Sequence, residues 1–395
     1  MKWHNPPMRS ATRLALATVA ALTLVSACSS TTSTPATSEP AAAATSAAAA
    51  LPAETAAQLQ KAVDDAQAKF GFPGIIAGVW GPDGEWVTLT GTAGPEPSTP
   101  LTRDDHTRIG SITKTFTVTL LLQLAEKGLV SLDDTIDKYV PGMPNGDTAT
   151  LLDLAHMTSG IIPYTAIPAS TDAFFADTQK AWTPQELVDF VKGTKPQFAA
   201  GTNFQYSNTN TVLLGMVIEQ VTGRPYADVV QENILGPLGM TQTSFPGSSN
   251  ALPDPHLMGS TMQGNPDNTL KDATNWSPTY AFSAGEMIST LDDLHKWGVA
   301  LGTGEGILSP EMQMMRLDSV PNDIPGNTPT RSYGIGIGLT NGWLGHTGEI
   351  PGYNTVLEYN PDTKTTIAIM VNTDIAVDNV NPAVAVFNEF QPILG

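Results

Sequence analysis

The stretch GIIAGVWGPDGEWVTLTG, residues 74–91, reads as strand, turn, strand. Gly74 to Trp80 and Glu85 to Gly91 are rich in β-branched and aromatic side chains, and Gly81-Pro82-Asp83-Gly84 between them is turn chemistry. Before this hairpin, Ala53 to Phe70 predicts an amphipathic helix with Leu59, Val63 and Ala66 on one face. After it, Ile112 to Glu126 predicts a strongly apolar helix closed by Gly128. Helical patterns follow over 150–157, 183–193, 209–222 and 225–234, with Pro and Gly punctuating long loops such as 240–283. Ser289 to Leu301 predicts another helix, with Asp292 and Asp293 in its first turn. The chain then returns to strands: Tyr333 to Leu339, Gly342 to His346, Tyr353 to Tyr359 and Thr365 to Asn372. A helix from Pro382 to Phe390 closes it.

This order predicts an α+β fold, an α/β sandwich with an inserted helical lobe. The first two strands pair with the last three in one antiparallel sheet of about five strands, flanked by the N- and C-terminal helices. The α/β lobe takes about 54–135 and 285–395, and the helical lobe about 136–284. The cleft between lobes is the expected site.

The chain has 395 residues and a formal charge of −19. At 41% hydrophobic it can bury a sizeable core, which excludes wholesale disorder. The acidic balance argues against a nucleic-acid partner. Cys28 is the single cysteine, so neither an intramolecular disulfide nor a cysteine-based zinc site can form. The six histidines have no ligand-type spacing. No feature indicates a metal or an organic cofactor.

Lys2, Arg9 and Arg13 precede an apolar run from Leu14 to Val25, too short for a relaxed span of about 20 residues. The run ends in Val25-Ser26-Ala27-Cys28, which resembles a bacterial lipobox. Residues 1–27 are therefore expected to be a lipoprotein signal peptide and Cys28 the lipidated residue. Its acyl chains would hold the protein on the outer face of the cytoplasmic membrane. Removing 1–27 takes away three positive charges and leaves −22. Residues 28–53, almost all Ser, Thr, Ala and Pro, are expected to be a solvated tether, and 54–395 the folded domain.

Three short motifs carry chemistry. In Arg108-Ile109-Gly110-Ser111-Ile112-Thr113-Lys114, Ser111 and Lys114 share a helix face. A serine needs a base to become a nucleophile, and a lysine in a partly dry cleft can serve. Free N–H groups at the helix start can meet an oxyanion. A serine at a helix start is also an ordinary cap, but no other serine here has Lys at i+3. In Tyr206-Ser207-Asn208, a phenol near an ammonium can have a depressed pKa and shuttle protons. Asn208 can donate to a substrate carbonyl while accepting from a lysine. Ser207 or Asn208 is equally expected to cap the helix from about 209. In His346-Thr347-Gly348-Glu349, at a strand end, a substrate can lie antiparallel along the sheet edge.

Together these motifs resemble the penicillin-recognising serine hydrolases: D-alanyl-D-alanine carboxypeptidases, type-C β-lactamases and their esterase relatives. Leu151-Leu152-Asp153-Leu154-Ala155-His156-Met157-Thr158-Ser159-Gly160 and Ala284 to Thr290 are similar to further stretches of that family. The resemblance implies Ser111 as nucleophile, Lys114 and Tyr206 in proton transfer, and Asn208, His346, Thr347 and Gly348 in substrate binding. It implies the Ser111 and Glu349 backbone N–H groups as oxyanion hole. The implied substrate is a small molecule or peptide: a peptidoglycan stem, another D-amino peptide, an ester or a β-lactam. A true β-lactamase is a second reading, against which His346 in place of Lys argues. A non-catalytic binding lipoprotein is a third, against which intact Ser111, Lys114 and Tyr206 argue. His346, with an ordinary pKa of about 6.5, is expected to bind a penicillin carboxylate less well as pH rises from 6 to 8. His156 is expected to fix a loop by hydrogen bonds, His295 to pack half-buried near Trp297, and Arg331 to be a surface residue that could meet a substrate carboxylate.

Overall fold

The computed structural model describes residues 49–94, 99–265, 267, 269–320 and 323–395. Cys28, the expected signal peptide and most of the expected tether lie outside the described residues. The last tether residues are largely exposed, but their backbone is tied to the fold. Ala50 bridges Glu85 in parallel, Leu51 N–H donates to the Glu85 carbonyl at 3.0 Å, and Glu85 N–H donates to the Ala49 carbonyl at 2.7 Å. They satisfy a strand edge that would otherwise be open.

The opening helix and hairpin form as expected: α1 over Ala53–Phe70, β1 over Gly74–Gly81 and β2 over Gly84–Gly91. Gly71, at φ 66°, ends α1 by donating its N–H to the Gln67 carbonyl. The central helix α2 spans Thr113–Glu126, preceded by a 3₁₀ turn at Gly110–Ile112. It is buried on nearly all sides, as a helix apolar all round must be. Gly128 and Leu129 donate to the carbonyls of Ala125 and Leu124 and stop it.

The helical middle contains α3 Leu151–Ala155, α4 Pro168–Ala176, α5 Pro184–Asp189, α6 Asn208–Thr222 and α7 Tyr226–Val230. Capping boxes open α3 at Thr150/Asp153 and α5 at Thr183/Glu186. Then come α8 Leu291–Thr303, α9 Pro310–Asp318 and the closing α10 Pro382–Leu394. Helices α4 and α9 were not expected from the apolar pattern, although each has Pro in its first turn and Ser309 caps α9.

The C-terminal strands are β3 Arg331–Tyr333, β4 Gly338–Thr340, β5 Trp343–Ile350, β6 Tyr353–Asn360 and β7 Thr365–Val371. All pair antiparallel with their neighbours in one sheet, ordered β2-β1-β7-β6-β5-β4-β3. The first hairpin therefore joins the last strands, as expected, but the sheet has seven strands rather than about five. The expected strand 333–339 is two. It folds back because Gly336 takes φ +65°, a conformation that favours glycine, and a Cβ there would strike Val118.

Alternation along β1 sets the two faces. Ile75, Ala77 and Val79 pack with Leu59 and Val63 of α1 and Val386, Phe387 and Phe390 of α10. Ile76 and Trp80 face α2, α8 and the helical middle. His295 is half-buried, as expected: its ring stacks on Trp80 at 4.3 Å, and Trp297 on the same helix stacks on Phe116.

Candidate active site

Ser111 is held against β5 by backbone contacts. Thr107–Arg108 pairs with Ile288–Ser289, and Ile109 N–H donates to the Met287 carbonyl at 3.0 Å. The Thr355 hydroxyl donates to the Ile109 carbonyl at 3.0 Å. Gly110 and Gly348 permit the approach: a Cβ on Gly110 would stand 2.6 Å from the Glu349 nitrogen, and one on Gly348 would stand 2.0 Å from the Ile109 oxygen. Ser111 and the Glu349 backbone thus line one cavity of about 540 Å³.

Lys114 lies one helical turn on, with its Nζ 2.8 Å from Ser111 Oγ and 2.6 Å from the Ala284 carbonyl oxygen. It is fully buried, and burial alone pushes its pKa well below the ordinary lysine value. The Tyr206 hydroxyl is hydrogen-bonded to the Ser111 side chain, and its ring centroid is 5.0 Å from Lys114 Nζ. The ring is 36% exposed, but its hydroxyl end is enclosed. The expected depression of the Tyr206 pKa is not found. Burial raises it, with the Ser111 bond opposing and the Glu349 charge adding to the rise.

Asn208 opens α6, two residues from Tyr206, and its amide donates to the Thr165 hydroxyl at 3.2 Å. Neither Ser207 nor Asn208 caps α6 through its side chain. Ser207 occupies the N-cap position, but its hydroxyl is buried without a partner among the described residues.

His346 lies inside β5, not at a strand end. Its Nδ1–H donates to the Thr347 carbonyl at 2.5 Å, which leaves Nε2 to accept from the Tyr333 hydroxyl at 3.2 Å. Burial, then Lys114, lower its pKa to about 3, against the Thr347 bond. His346 is therefore neutral between pH 6 and 8, and the expected change in carboxylate binding over that range does not arise from it.

Strand β5 pairs with β6 from Leu344 to Ile350, but with β4 only from Trp343 to Gly345. Beyond Gly345 its other edge faces the cavity at His346, Thr347 and Glu349. An unpaired strand edge beside a reactive serine is suited to an extended peptide. Tyr333, Arg331 and Glu358 also line the cavity. Arg331 is exposed, as expected, and it also lines the cavity. Tyr333 and Glu358 carry no motif signal; sheet register brings them there. His156 Nε2 is buried with no hydrogen-bond partner among the described residues. The neighbouring loop is fixed by Asn145, whose amide donates to the Ser159 and Phe198 carbonyls, both at 2.8 Å. Among the described residues, no group of three or more His, Cys, Asp or Glu is placed to hold a metal ion.

A family model described as Beta-lactamase matches residues 59–387. A D-stereospecific amidohydrolase from Streptomyces sp. is 34% identical, with a TM-score of 0.74 over 84% of this chain and 97% of that one. The D-amino acid amidase from Ochrobactrum anthropi SV3 is 28% identical, with a TM-score of 0.74 over 87% of this chain and 98% of that one. Penicillin-binding protein 4* of Bacillus subtilis (strain 168) is 31% identical over 189 residues, 47% of this chain and 40% of that protein. The chain spans 37% to 61% of the length of curated relatives it matches in Bacillus subtilis and Staphylococcus aureus.

Proposed function

The chain belongs to the Beta-lactamase family and is a serine hydrolase, and from that premise we propose that it cleaves the terminal peptide bond of D-alanyl-D-alanine stems through an ester on Ser111. One observation carries the mechanism: a buried lysine 2.8 Å from a serine hydroxyl, with no carboxylate partner among the described residues. As a free amine, Lys114 has a lone pair that accepts the Ser111 proton. Ser111 Oγ adds to the carbonyl carbon while the Ser111 and Glu349 N–H groups hold the developing oxyanion. The C–N bond then breaks. Tyr206, kept as a phenol, gives its proton to the leaving amine and regains one from Lys114. Water attacks the ester, returns its proton through the same pair, and frees Ser111. The edge of β5 from His346 to Gly348 aligns the peptide, Thr347 and Arg331 meet its terminal carboxylate, and the Asn208 amide holds the acyl side.

The penicillin-binding relative supports the D-alanyl-D-alanine assignment. A second reading, hydrolysis of D-amino acid amides, is favoured by the two solved structures that the chain covers almost end to end. Lipidation at Cys28, which the lipobox-like Val25-Ser26-Ala27-Cys28 would allow, would hold the enzyme in the cell envelope, where peptidoglycan stems are found.

The test is a parallel assay of a D-Ala-D-Ala peptide, a D-amino acid amide, a p-nitrophenyl ester and nitrocefin, with Ser111→Ala as control. Release of D-alanine at the highest kcat/KM supports the first reading. A higher value for the amide transfers the assignment to the amidase reading, and rapid nitrocefin turnover to a β-lactamase.

A further inference from the structure

Strands β3 to β6 carry one row of paired residues: Tyr333 with Gly338, Gly338 with Gly345, and Gly345 with Glu358. All four line the cavity that holds Ser111. The two central positions have no side chain, so the floor between Tyr333 and Glu358 is bare backbone. A Cβ on Gly345 would stand 2.6 Å from Glu358 Oε2, which places the carboxyl over that floor. Glu358 is 4% exposed, and its Oε2 has no hydrogen-bond partner among the described residues. Buried carboxyls are ordinarily bonded to a neighbour, so an unbonded one at a cavity floor calls for an explanation.

We propose that Glu358 forms a second subsite, which takes a primary ammonium on the side chain of the leaving residue. This rests on the Ser111 reading for the direction of the substrate. Oε2 lacks a donor, and an ammonium brings three N–H groups together with the charge that offsets burial of a carboxylate. Burial raises the Glu358 pKa well above the usual carboxylate range; a free amine that enters takes the carboxyl proton, and the two are then held as ammonium and carboxylate. The residues that line the cavity include no lysine, and His346 is neutral. Arg331 lines the cavity but is exposed, where water screens it. The chain's charge of −19 favours the approach of cations. Gly345 and Thr347 are two residues apart on β5, roughly 7 Å. A leaving residue whose carboxylate meets Thr347 therefore reaches Glu358 with a side chain of lysine length.

The experiment compares peptides ending in D-Ala-D-Lys with the side-chain amine free, acetylated or succinylated. The free amine is expected to give the highest kcat/KM. Glu358→Gln should lower its advantage over the acetylated peptide about tenfold, mainly through KM. Equal values in the wild type, preference for the succinylated peptide, or an advantage untouched by Glu358→Gln would overturn the proposal. Binding gives a readout independent of turnover: n-pentylamine should raise the wild-type Tm, and pentan-1-ol and pentanoate should not. If no peptide is cleaved but the amine shift appears, the Ser111 reading fails and the subsite stands. If the amine gives no shift, the subsite fails. If Glu358→Gln does not fold, the wild-type amine, alcohol and carboxylate series decides alone.

Discussion

The Tyr333 hydroxyl and His346 Nε2 lie 3.2 Å apart, and that contact fixes which imidazole nitrogen carries the proton. With Nδ1–H given to the Thr347 carbonyl, Nε2 needs its lone pair to accept from tyrosine. Protonating His346 would set two donors against each other in a buried place. This agrees with a pKa lowered to about 3, for which burial is the main cause.

The first prediction follows from that neutral ring. A histidine whose folded pKa is depressed leaves the native state uncharged while the unfolded chain takes up a proton below about pH 6.5. Stability contributed by neutral His346 is thus present above pH 6.5 and is lost as pH falls from there toward 3. The His346 ring proton should show no titration by NMR between pH 8 and 5. Urea unfolding of the wild type and His346→Gln should diverge less at pH 4.5 than at pH 7.5. A midpoint near 6 for this ring would refute the assignment.

Lys114 gives the second. Its folded pKa lies well below the ordinary 10.5. Between the folded and unfolded values the unfolded state binds one more proton, so stability rises with pH by about 1.4 kcal/mol per unit from this group. Lys114→Met removes that slope. Comparing the two proteins from pH 7.5 to 9.5 cancels opposing groups such as Glu286, whose pKa burial raises to about 8. The variant should also lose turnover. Parallel pH–stability curves would mean that Lys114 stays charged and cannot act as the base.

The third concerns Ser111. The 3₁₀ turn and α2 start without any side-chain cap, so Ser111→Ala removes no capping bond. What it removes is the partner of Lys114 and Tyr206. Stability should change by about 1 kcal/mol or less, while turnover should fall by roughly 10³-fold or more. Retained hydrolysis with unchanged circular dichroism would sink the mechanism.

These residues were legible because their signals are local and rare. Ser111 and Lys114 sit one helical turn apart, and Gly71 and Gly128 stop α1 and α2 as their neighbours require. The closure of the hairpin on β7 followed from strands at both ends of the chain. The break between β3 and β4 was not legible. Gly334-Ile335-Gly336-Ile337 imitates strand alternation, and only contacts with Ala155 and Val118 decide that Gly336 turns. Tyr333 and Glu358 were missed as cavity residues for the same reason, since cross-strand register is a long-range property. The direction of the Tyr206 shift also depends on burial, which the tripeptide Tyr206-Ser207-Asn208 does not encode.

The fourth prediction concerns anchoring. Cys28 follows Val25-Ser26-Ala27 and is the single cysteine, so no other thiol can carry a diacylglyceryl group. Among the described residues no helix is long and apolar enough to cross a membrane. Cys28→Ala should move the protein from the membrane fraction to the soluble one. A variant that fractionates like the wild type would show that Cys28 is not the anchor.

The last prediction is what a penicillin does here. Lys114 can take the Ser111 proton, and the Ser111 and Glu349 N–H groups can hold the lactam oxygen, so ring opening onto Ser111 is expected. The lactam C–N bond breaks and its nitrogen takes the proton through Tyr206, but the leaving amine stays tethered to the acyl group. The adduct therefore gains the full mass of the penicillin. The tethered ring keeps filling the space beside the ester, where water must enter for deacylation. A peptide clears that space when its leaving residue departs. The penicillin carboxylate meets neutral His346, Thr347 and the guanidinium of Arg331. Arginine stays charged throughout, so acylation should not weaken through carboxylate binding as pH rises from 6 to 8. Intact-protein mass spectrometry after incubation with benzylpenicillin should show one long-lived adduct, absent in Ser111→Ala and reduced in Arg331→Ala. An adduct that forms and vanishes within the mixing time, with matching nitrocefin turnover, would identify a β-lactamase instead. No adduct, alongside good ester hydrolysis, would place the protein with the esterases.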